Sequence, residues 1–221
     1  MSYECAYCGS ASADTDDHVP PKSIYSAPLP PDVPTVKACA SCNAGASNDD
    51  EYFRDVVVKY HRVADLPQAQ QQVDAMIRAA GKPAKRRYAE ATWRSFIDVE
   101  RRTPAGLILG TAPAYIVDVP RIERAVQRYV RGLHRYQLGS RVPDGSTVNV
   151  AVNADHVRAS GKDVVNVFAA AGRRIVQAGV YWYAWVSPPD RPEASAWLLV
   201  LFDAFRLMGF VHPPGASART A

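Results

Sequence analysis

Apolar residues recur at helical spacing through the first half of the chain. From Asp49 to Ala64 they return every three or four positions, with acids in the first turn, which predicts an amphipathic helix. The same spacing predicts helices over about 66–80 and 85–100. Stripes of this kind are typical of helix faces that are buried in a core. Prolines and glycines between 104 and 113 then break the pattern.

The segment 121–139 has the clearest two-sided helical pattern. Its apolar face carries Ile122, Val126, Tyr129, Val130 and Leu133, and its opposite face carries Arg124, Arg128, Arg131 and Arg135. A stripe of arginines can follow the phosphates of a nucleic acid, and it can equally be an ordinary solvated helix face. The basic cluster at 82–87 allows the same two interpretations. Neither segment identifies a function by itself.

From residue 146 onward the pattern becomes that of β-strands. Segments 147–153, 180–186 and 196–202 alternate in polarity or are rich in aromatic and β-branched residues. The proline-rich loop between the last two suits a hairpin connection, and the stretch 164–175 has a helical interpretation. Helices followed by an antiparallel strand-rich region predict an α+β fold.

Composition narrows the class of protein. The chain has 221 residues, of which 48% are hydrophobic and 22% charged, as in soluble proteins. Its longest apolar run, around 197–211, contains Asp203 and Arg206, so we expect no membrane span. The first residues show no secretory signal pattern, so a cytoplasmic location with reduced cysteines is expected. A net charge of +4 permits a nucleic-acid partner without requiring one.

The four cysteines fall into two C-x-x-C pairs, Cys5 with Cys8 and Cys39 with Cys42. Because two intervening residues make a tight turn, each pair can place two thiolates on one cation. Two such turns form a closed four-sulfur site, for which zinc is the default ion. The alternatives are a redox C-x-x-C, which would not need a second copy, and an iron centre in the same cage. The spacing predicts a structural Zn²⁺ ion.

Three pieces of the sequence resemble the HNH endonucleases, also known as ββα-metal or His-Me finger nucleases. They are CAYCGS (5–10), DHVPPK (17–22) and CASCNAGASNDDEYF (39–53). The chain is most similar to members whose finger is held by a four-cysteine zinc site, of the recombination endonuclease VII type. The resemblance covers roughly residues 1–60. It implies two short strands that carry the Asp-His pair and a helix that begins at the second cysteine pair.

The resemblance also implies a role for each residue of the motif. Asp17 and Asn43 would ligate Mg²⁺ or another divalent cation, His18 would be the general base that activates water, and the zinc ion would be structural only. The expected reaction is hydrolysis of a phosphodiester in DNA, leaving a 5′-phosphate and a 3′-hydroxyl. The residue types suit these roles, since imidazole can accept a proton near neutral pH and hard cations prefer oxygen ligands.

Some features of the motif have other interpretations. Many HNH members carry an asparagine before the second cysteine pair, where this chain has Pro34 and Thr35. Asn48 is the nearest candidate for a further ligand, but its spacing to Glu51 indicates a capping box. Asn43 can likewise be a helix cap.

The predicted organisation has two domains. Residues 1–60 form the nuclease finger, and residues 61–221 form an α+β domain without an assigned role, with helices over about 66–138 and strands over about 146–212. Lys22 can contact a phosphate or simply keep a loop soluble. The alternative to an endonuclease is a zinc-stapled module that binds nucleic acid or protein without catalysis.

Overall fold

The architecture is that of a computed structural model, which describes residues 3–152, 168 and 171–215. The N-terminal part contains a hairpin of β1 (Thr15–His18) and β2 (Thr35–Ala38), followed by helices α1 (Ala40–Ala44) and α2 (Ser47–Lys59). The middle part contains α3 (Gln70–Ala80), α4 (Arg86–Arg94), a second hairpin of β3 (Phe96–Arg102) and β4 (Ile108–Tyr115), and the long helix α5 (Val119–Leu138).

The C-terminal part is one antiparallel sheet. Its strands are β5 (Thr147–Val152), β6 (Arg173–Gln177), β7 (Tyr181–Val186), β8 (Ser195–Leu201) and β9 (Phe205–His212), in the spatial order β5-β9-β8-β7-β6. The predicted α+β class with an antiparallel sheet is therefore confirmed. Aromatic and β-branched side chains on β7 and β8 pack across the sheet, with the Trp185 and Trp197 rings stacked at 6.1 Å.

Two of the predicted helices differ from the structure. The helix expected over 85–100 ends at Arg94, because Ile97 and Val99 alternate with charged residues and this period belongs to a strand. The helix expected over 164–175 overlaps β6, whose first residue is Arg173. Residues 164–167 and 169–170 lie outside the described part of the chain.

Helix α5 lies between the N-terminal finger and the sheet. A methyl group on Gly209 of β9 would lie 2.3 Å from Val130, so the helix and the sheet are in close contact. On another side of α5, a methyl group on Gly132 would lie 2.7 Å from Val19, which directly follows β1. The two glycines let the helix approach both neighbours closely.

One hydrophobic core continues across residue 60. Val19, Ile24 and Phe53 from the first sixty residues belong to the same buried cluster as Tyr129 of α5 and Phe205 of β9. The Phe53 ring lies 5.1 Å from the Tyr129 ring and 6.5 Å from the Phe205 ring. The finger shares its core with the rest of the molecule. Within the described residues, no helix combines the length and apolar character that crossing a bilayer requires.

Candidate functional site

The four cysteines converge on one point at the base of the finger. The Sγ atoms of Cys5, Cys8, Cys39 and Cys42 all lie within 4.8 Å of one another. The first pair sits in a turn closed by a hydrogen bond from the Gly9 amide to the Cys5 carbonyl, and Gly9 has the positive φ of 75° that the turn needs. The second pair opens α1, with Cys39 at its N-cap. These residues could hold a metal ion.

One thiol of the cluster is set up to ionise. The Ser41 hydroxyl lies 3.2 Å from the Cys39 sulfur and, with the Cys42 amide, lowers the pKa of Cys39 to about 6. A thiolate is the form of cysteine that binds metals. Burial has the opposite effect on Cys42 of the same helix and raises its pKa, so the two thiols of α1 differ in how readily they ionise.

The Asp-His pair lies on β1, as the resemblance implies, but its two side chains have different surroundings. Asp17 pairs with Val36 and His18 pairs with Thr35 across the hairpin. Successive side chains of a strand point to opposite faces, so Asp17 is buried, at 5% exposure, whereas His18 is half-buried. Asp16 is exposed and forms a 2.8 Å ion pair with Lys37 of β2.

The imidazole of His18 favours its neutral form. Partial burial lowers the pKa of His18, and the positive charge of Lys22 lowers it further, against the opposing effect of the Asp17 and Asp16 carboxylates. A neutral imidazole has a nitrogen lone pair that can accept a proton. His18 is thus in the protonation state that a general base requires.

Asn43 connects α1 to β1. It directly follows Cys42, and its Nδ2 atom donates hydrogen bonds to Thr15 Oγ1 at 3.0 Å and to the Asp16 carbonyl at 3.4 Å. Because the nitrogen of the amide faces the strand, the Asn43 side-chain oxygen is the atom that can serve as a ligand. The interpretation of Asn43 as a cap of the next helix is wrong, since the N-cap of α2 is Ala46.

The capping box predicted for Asn48 and Glu51 is also wrong. Helix α2 begins at Ser47, so Asn48 lies inside its first turn, and the cap residue makes no side-chain hydrogen bond. The Asn48 carbonyl instead accepts a hydrogen bond from Arg121 of α5.

The carboxylate of Asp17 has two partners that the motif did not reveal. The Tyr7 hydroxyl and the Nη2 atom of Arg128 both donate to the same oxygen, Asp17 Oδ2, the latter at 2.6 Å. Arg128 lies on α5, 111 residues further along the chain. The arginine stripe of 121–139 was the only sequence signal for this contact, and it carried no information about the partner.

The other arginines of the stripe also have partners within the molecule. Arg124 contacts Asp49 at 3.2 Å, and Arg131 donates to the Ser146 carbonyl at 3.4 Å. Arg135 lies 3.7 Å from Glu4. Neither interpretation from the sequence describes this face fully, because Arg128 is largely buried and the stripe binds α5 to its own chain.

One cavity of the molecule lies away from the Asp-His motif of the finger. It measures about 550 Å³ and is lined by residues of α2, β4 and β9, including Val56, Lys59, Tyr115 and Phe205. Burial lowers the pKa of Lys59. The described lining residues do not include those of the Asp-His motif. The site assignment therefore depends on the residue chemistry of the finger.

A scan of protein families, a search of curated proteins and a search of solved structures each found no match to this chain.

Proposed function

We propose that this protein is a metal-dependent HNH endonuclease that hydrolyses phosphodiester bonds in DNA. The observation that carries the proposal is the ββα arrangement around the cysteine cage. β1 presents Asp17 and His18, and α1 starts at the second cysteine pair and contacts β1 through Asn43. A motif read from the sequence and a contact in the tertiary structure thus support the same assignment.

The proposed ion of the cysteine cage is structural zinc. Tetrahedral zinc with bonds of about 2.3 Å to sulfur separates its sulfurs by roughly 3.8 Å. The Cys8 and Cys39 sulfurs are 3.7 Å apart. This one sulfur–sulfur distance matches tetrahedral zinc, and four sulfur ligands would leave no open position for a substrate.

The proposed ligands of a second, catalytic cation are Asp17 and Asn43. Asp17 Oδ2 accepts from Tyr7 and Arg128, so Oδ1 is the oxygen it would offer, and Asn43 would offer its side-chain carbonyl. Carboxylate and amide oxygens are the donors that Mg²⁺ and Mn²⁺ prefer. When bound, such an ion neutralises charge on the phosphoryl oxygens and on the departing 3′ oxygen.

His18 is the proposed general base. An imidazole nitrogen accepts a proton from water as the water oxygen bonds to phosphorus, the bond from phosphorus to the 3′ oxygen breaks, and the 3′ oxygen takes a proton from bulk water. The lowered pKa of His18 keeps the ring ready for this step near neutral pH. The products are a 5′-phosphate and a 3′-hydroxyl.

A second candidate function is supported by the contact between Asp17 and Arg128. An arginine that satisfies the Asp17 carboxylate reduces its need for a metal ion, as in a finger that binds nucleic acid without cutting it. Such a protein binds DNA with an affinity that falls as salt rises, without strand scission, and the binding is unchanged in His18→Ala.

Nicking of supercoiled plasmid in the presence of Mg²⁺ or Mn²⁺ separates the two candidates. We expect wild-type protein to nick the plasmid and His18→Ala to be slower by at least about 100-fold, because general bases contribute roughly 10²–10⁴-fold to rates. His61→Ala is the matched control, since His61 is an exposed histidine outside the finger. It should cut as wild type does.

Zinc content, expected to be one ion per chain, checks that each variant is folded. If folded wild-type protein fails to nick plasmid both with Mg²⁺ and with Mn²⁺, the endonuclease proposal is wrong. Equal rates in wild type and His18→Ala would remove His18 from its proposed role.

A further inference from the structure

A buried ion cluster joins α5 to the finger. Arg128 lies at its centre, with a side chain only 12% exposed, and Asp17 and Asp50 lie on either side of the guanidinium. Nη2 donates to Asp17 at 2.6 Å, and Nη1 donates to the two Asp50 oxygens at 3.2 and 3.1 Å. Each carboxylate thus has its own nitrogen of the same planar group.

The guanidinium is held in one position by its neighbours. The Tyr7 ring lies 5.0 Å from it, within the range of a cation–π interaction. Asp50 is itself fixed by the Tyr129 hydroxyl, which donates to it at 2.8 Å. Arg128 is therefore well placed to determine the orientation of the Asp17 carboxylate.

The cluster carries an excess of negative charge. Burial raises the pKa of Asp50 and the Arg128 guanidinium opposes that rise. With both carboxylates ionised, the three groups sum to a net charge of −1 in a poorly solvated place, where an uncompensated charge is costly. A cation bound at Asp17 would balance this charge. Arg128 thus compensates one of the two negative charges, and the remaining negative charge attracts a cation.

We infer that Arg128 is a positioning residue of the proposed nuclease site, which holds Asp17 through Oδ2 so that Oδ1 is its donor to the catalytic cation. The inference rests on the proposed function. Lysine cannot replace arginine here, because a compact ammonium lacks the flat fork that reaches two carboxylates at once. The proposed site of the finger is thus completed by a helix that the motif does not include.

The backbone of α5 is adapted to this contact. Gly132 lies one turn after Arg128 and on the same face of the helix. A methyl group at Gly132 would lie 2.7 Å from Val19 and 3.1 Å from the Tyr7 hydroxyl. Because Gly132 has no side chain, α5 lies close to the finger, where Arg128 contacts Asp17.

The test compares Arg128→Lys with wild type and with Arg124→Lys, a control on the same helix whose arginine contacts Asp49. Mn²⁺ binding to the zinc-loaded protein without DNA is measured by electron paramagnetic resonance, and plasmid nicking is measured against Mn²⁺ concentration. Loss of a residue that orients a metal ligand typically lowers metal affinity or activity about 10- to 100-fold. We expect Arg128→Lys to show this loss in Mn²⁺ affinity, and Arg124→Lys to bind and cut as wild type does.

The outcomes separate the inference from the proposed function. Folded Arg128→Lys with wild-type Mn²⁺ affinity and nicking overturns the inference and leaves the proposed function intact. Wild-type protein that neither binds Mn²⁺ nor nicks overturns both. If Arg128→Lys loses its zinc or its fold, Asp50→Asn replaces it, because this change keeps Arg128 and weakens its anchor on the other side. Unchanged Mn²⁺ affinity in Asp50→Asn would then contradict the inference.

Discussion

Single residues of this protein have properties that their immediate neighbours in the sequence do not explain. Asp17 and His18 are adjacent in the sequence, yet they differ in environment. Asp17 forms a buried ion pair with Arg128, whereas His18 is half-buried and has a lowered pKa. The alternation of a strand separates their environments.

His134 in the core also has a property that its neighbours in the sequence do not explain. It lies on α5, fully buried, with Nδ1 at 3.0 Å from the Ser195 hydroxyl and with Nε2 lacking a hydrogen-bond partner among the described residues. Ser195 accepts a hydrogen bond from Trp197, so its own hydrogen is available to Nδ1. This arrangement suits a neutral ring, and burial lowers the pKa of His134 to about 4.

The buried His134 predicts a loss of stability in acid. Because its pKa is about 4 when folded and 6.5 when unfolded, the unfolded chain binds the extra proton between these values. The contribution of His134 to the free energy of unfolding is therefore complete above pH 6.5. About 3 kcal/mol of it is lost as the pH falls to 4. Urea unfolding of wild type and His134→Gln across this range measures the effect.

The comparison with His134→Gln removes the contribution of the cysteine cage, which also titrates in acid. We expect the stability difference between the two proteins to shrink or reverse as pH falls. Parallel stability curves from pH 7 to 4 would show that His134 does not titrate as its burial requires.

At the scale of elements, α5 determines how the parts of the molecule meet. Its apolar face packs on the sheet, and Arg128 and Gly132 contact the finger. The pattern of 121–139 predicted the helix and its buried face. It did not predict a second packed face, because arginines are usually solvated, whereas here Arg124 and Arg128 contact acids on α2 and β1.

Gly132→Ala should destabilise the protein, although alanine favours helices over glycine. The new methyl group would lie 2.7 Å from Val19, a buried and β-branched side chain with little freedom to move. Overpacking costs about 1–3 kcal/mol and helix propensity returns up to about 1, so we expect a net loss of roughly 1–2 kcal/mol. Chemical denaturation measures it.

Val19→Ala in the same chain provides the control. Because it makes room for the methyl group, the double variant should be more stable than the sum of the two single effects. Additive losses, or a Gly132→Ala protein as stable as wild type, would mean that α5 and β1 are not in tight contact.

Local patterns were reliable for elements with one dominant period. Helix α3 and strands β5, β7 and β8 lie where spacing and β-branched or aromatic content predicted them. The hairpin of β3 and β4 was missed, because Phe96 and Ile97 were included in the helical stripe of the preceding segment although Ile97 and Val99 alternate as in a strand. Pairing with β4 decided between them.

For the whole molecule, the shared core bears on the predicted division at residue 60. Phe53 and Val57 of α2 are buried with side chains that lie beyond residue 60. A sixty-residue unit is already marginal in the surface that it can bury. The separated finger, residues 1–60, would therefore expose part of its own core.

The isolated fragment 1–60 should not fold cooperatively, even with zinc. Without Tyr129, Phe205 and Arg128, it leaves Phe53 in solvent and Asp17 without its ion pair. We expect no cooperative thermal transition by circular dichroism, whereas the full chain with zinc should show one. Co-expression with fragment 61–221 should restore a soluble complex. A sharp transition in the fragment alone would establish an autonomous finger.

The sequence by itself determined the four-sulfur cage, the helix and strand periods of the main elements, and the order of the Asp-His and Asn residues. These features depend on local spacing, which a chain carries in any conformation. Only the tertiary structure decided that Asp17 faces Arg128, that α5 lies between finger and sheet, and that one core crosses residue 60. Such contacts join residues that are distant in the sequence, with Asp17 and Arg128 111 positions apart, and they depend on how whole elements pack.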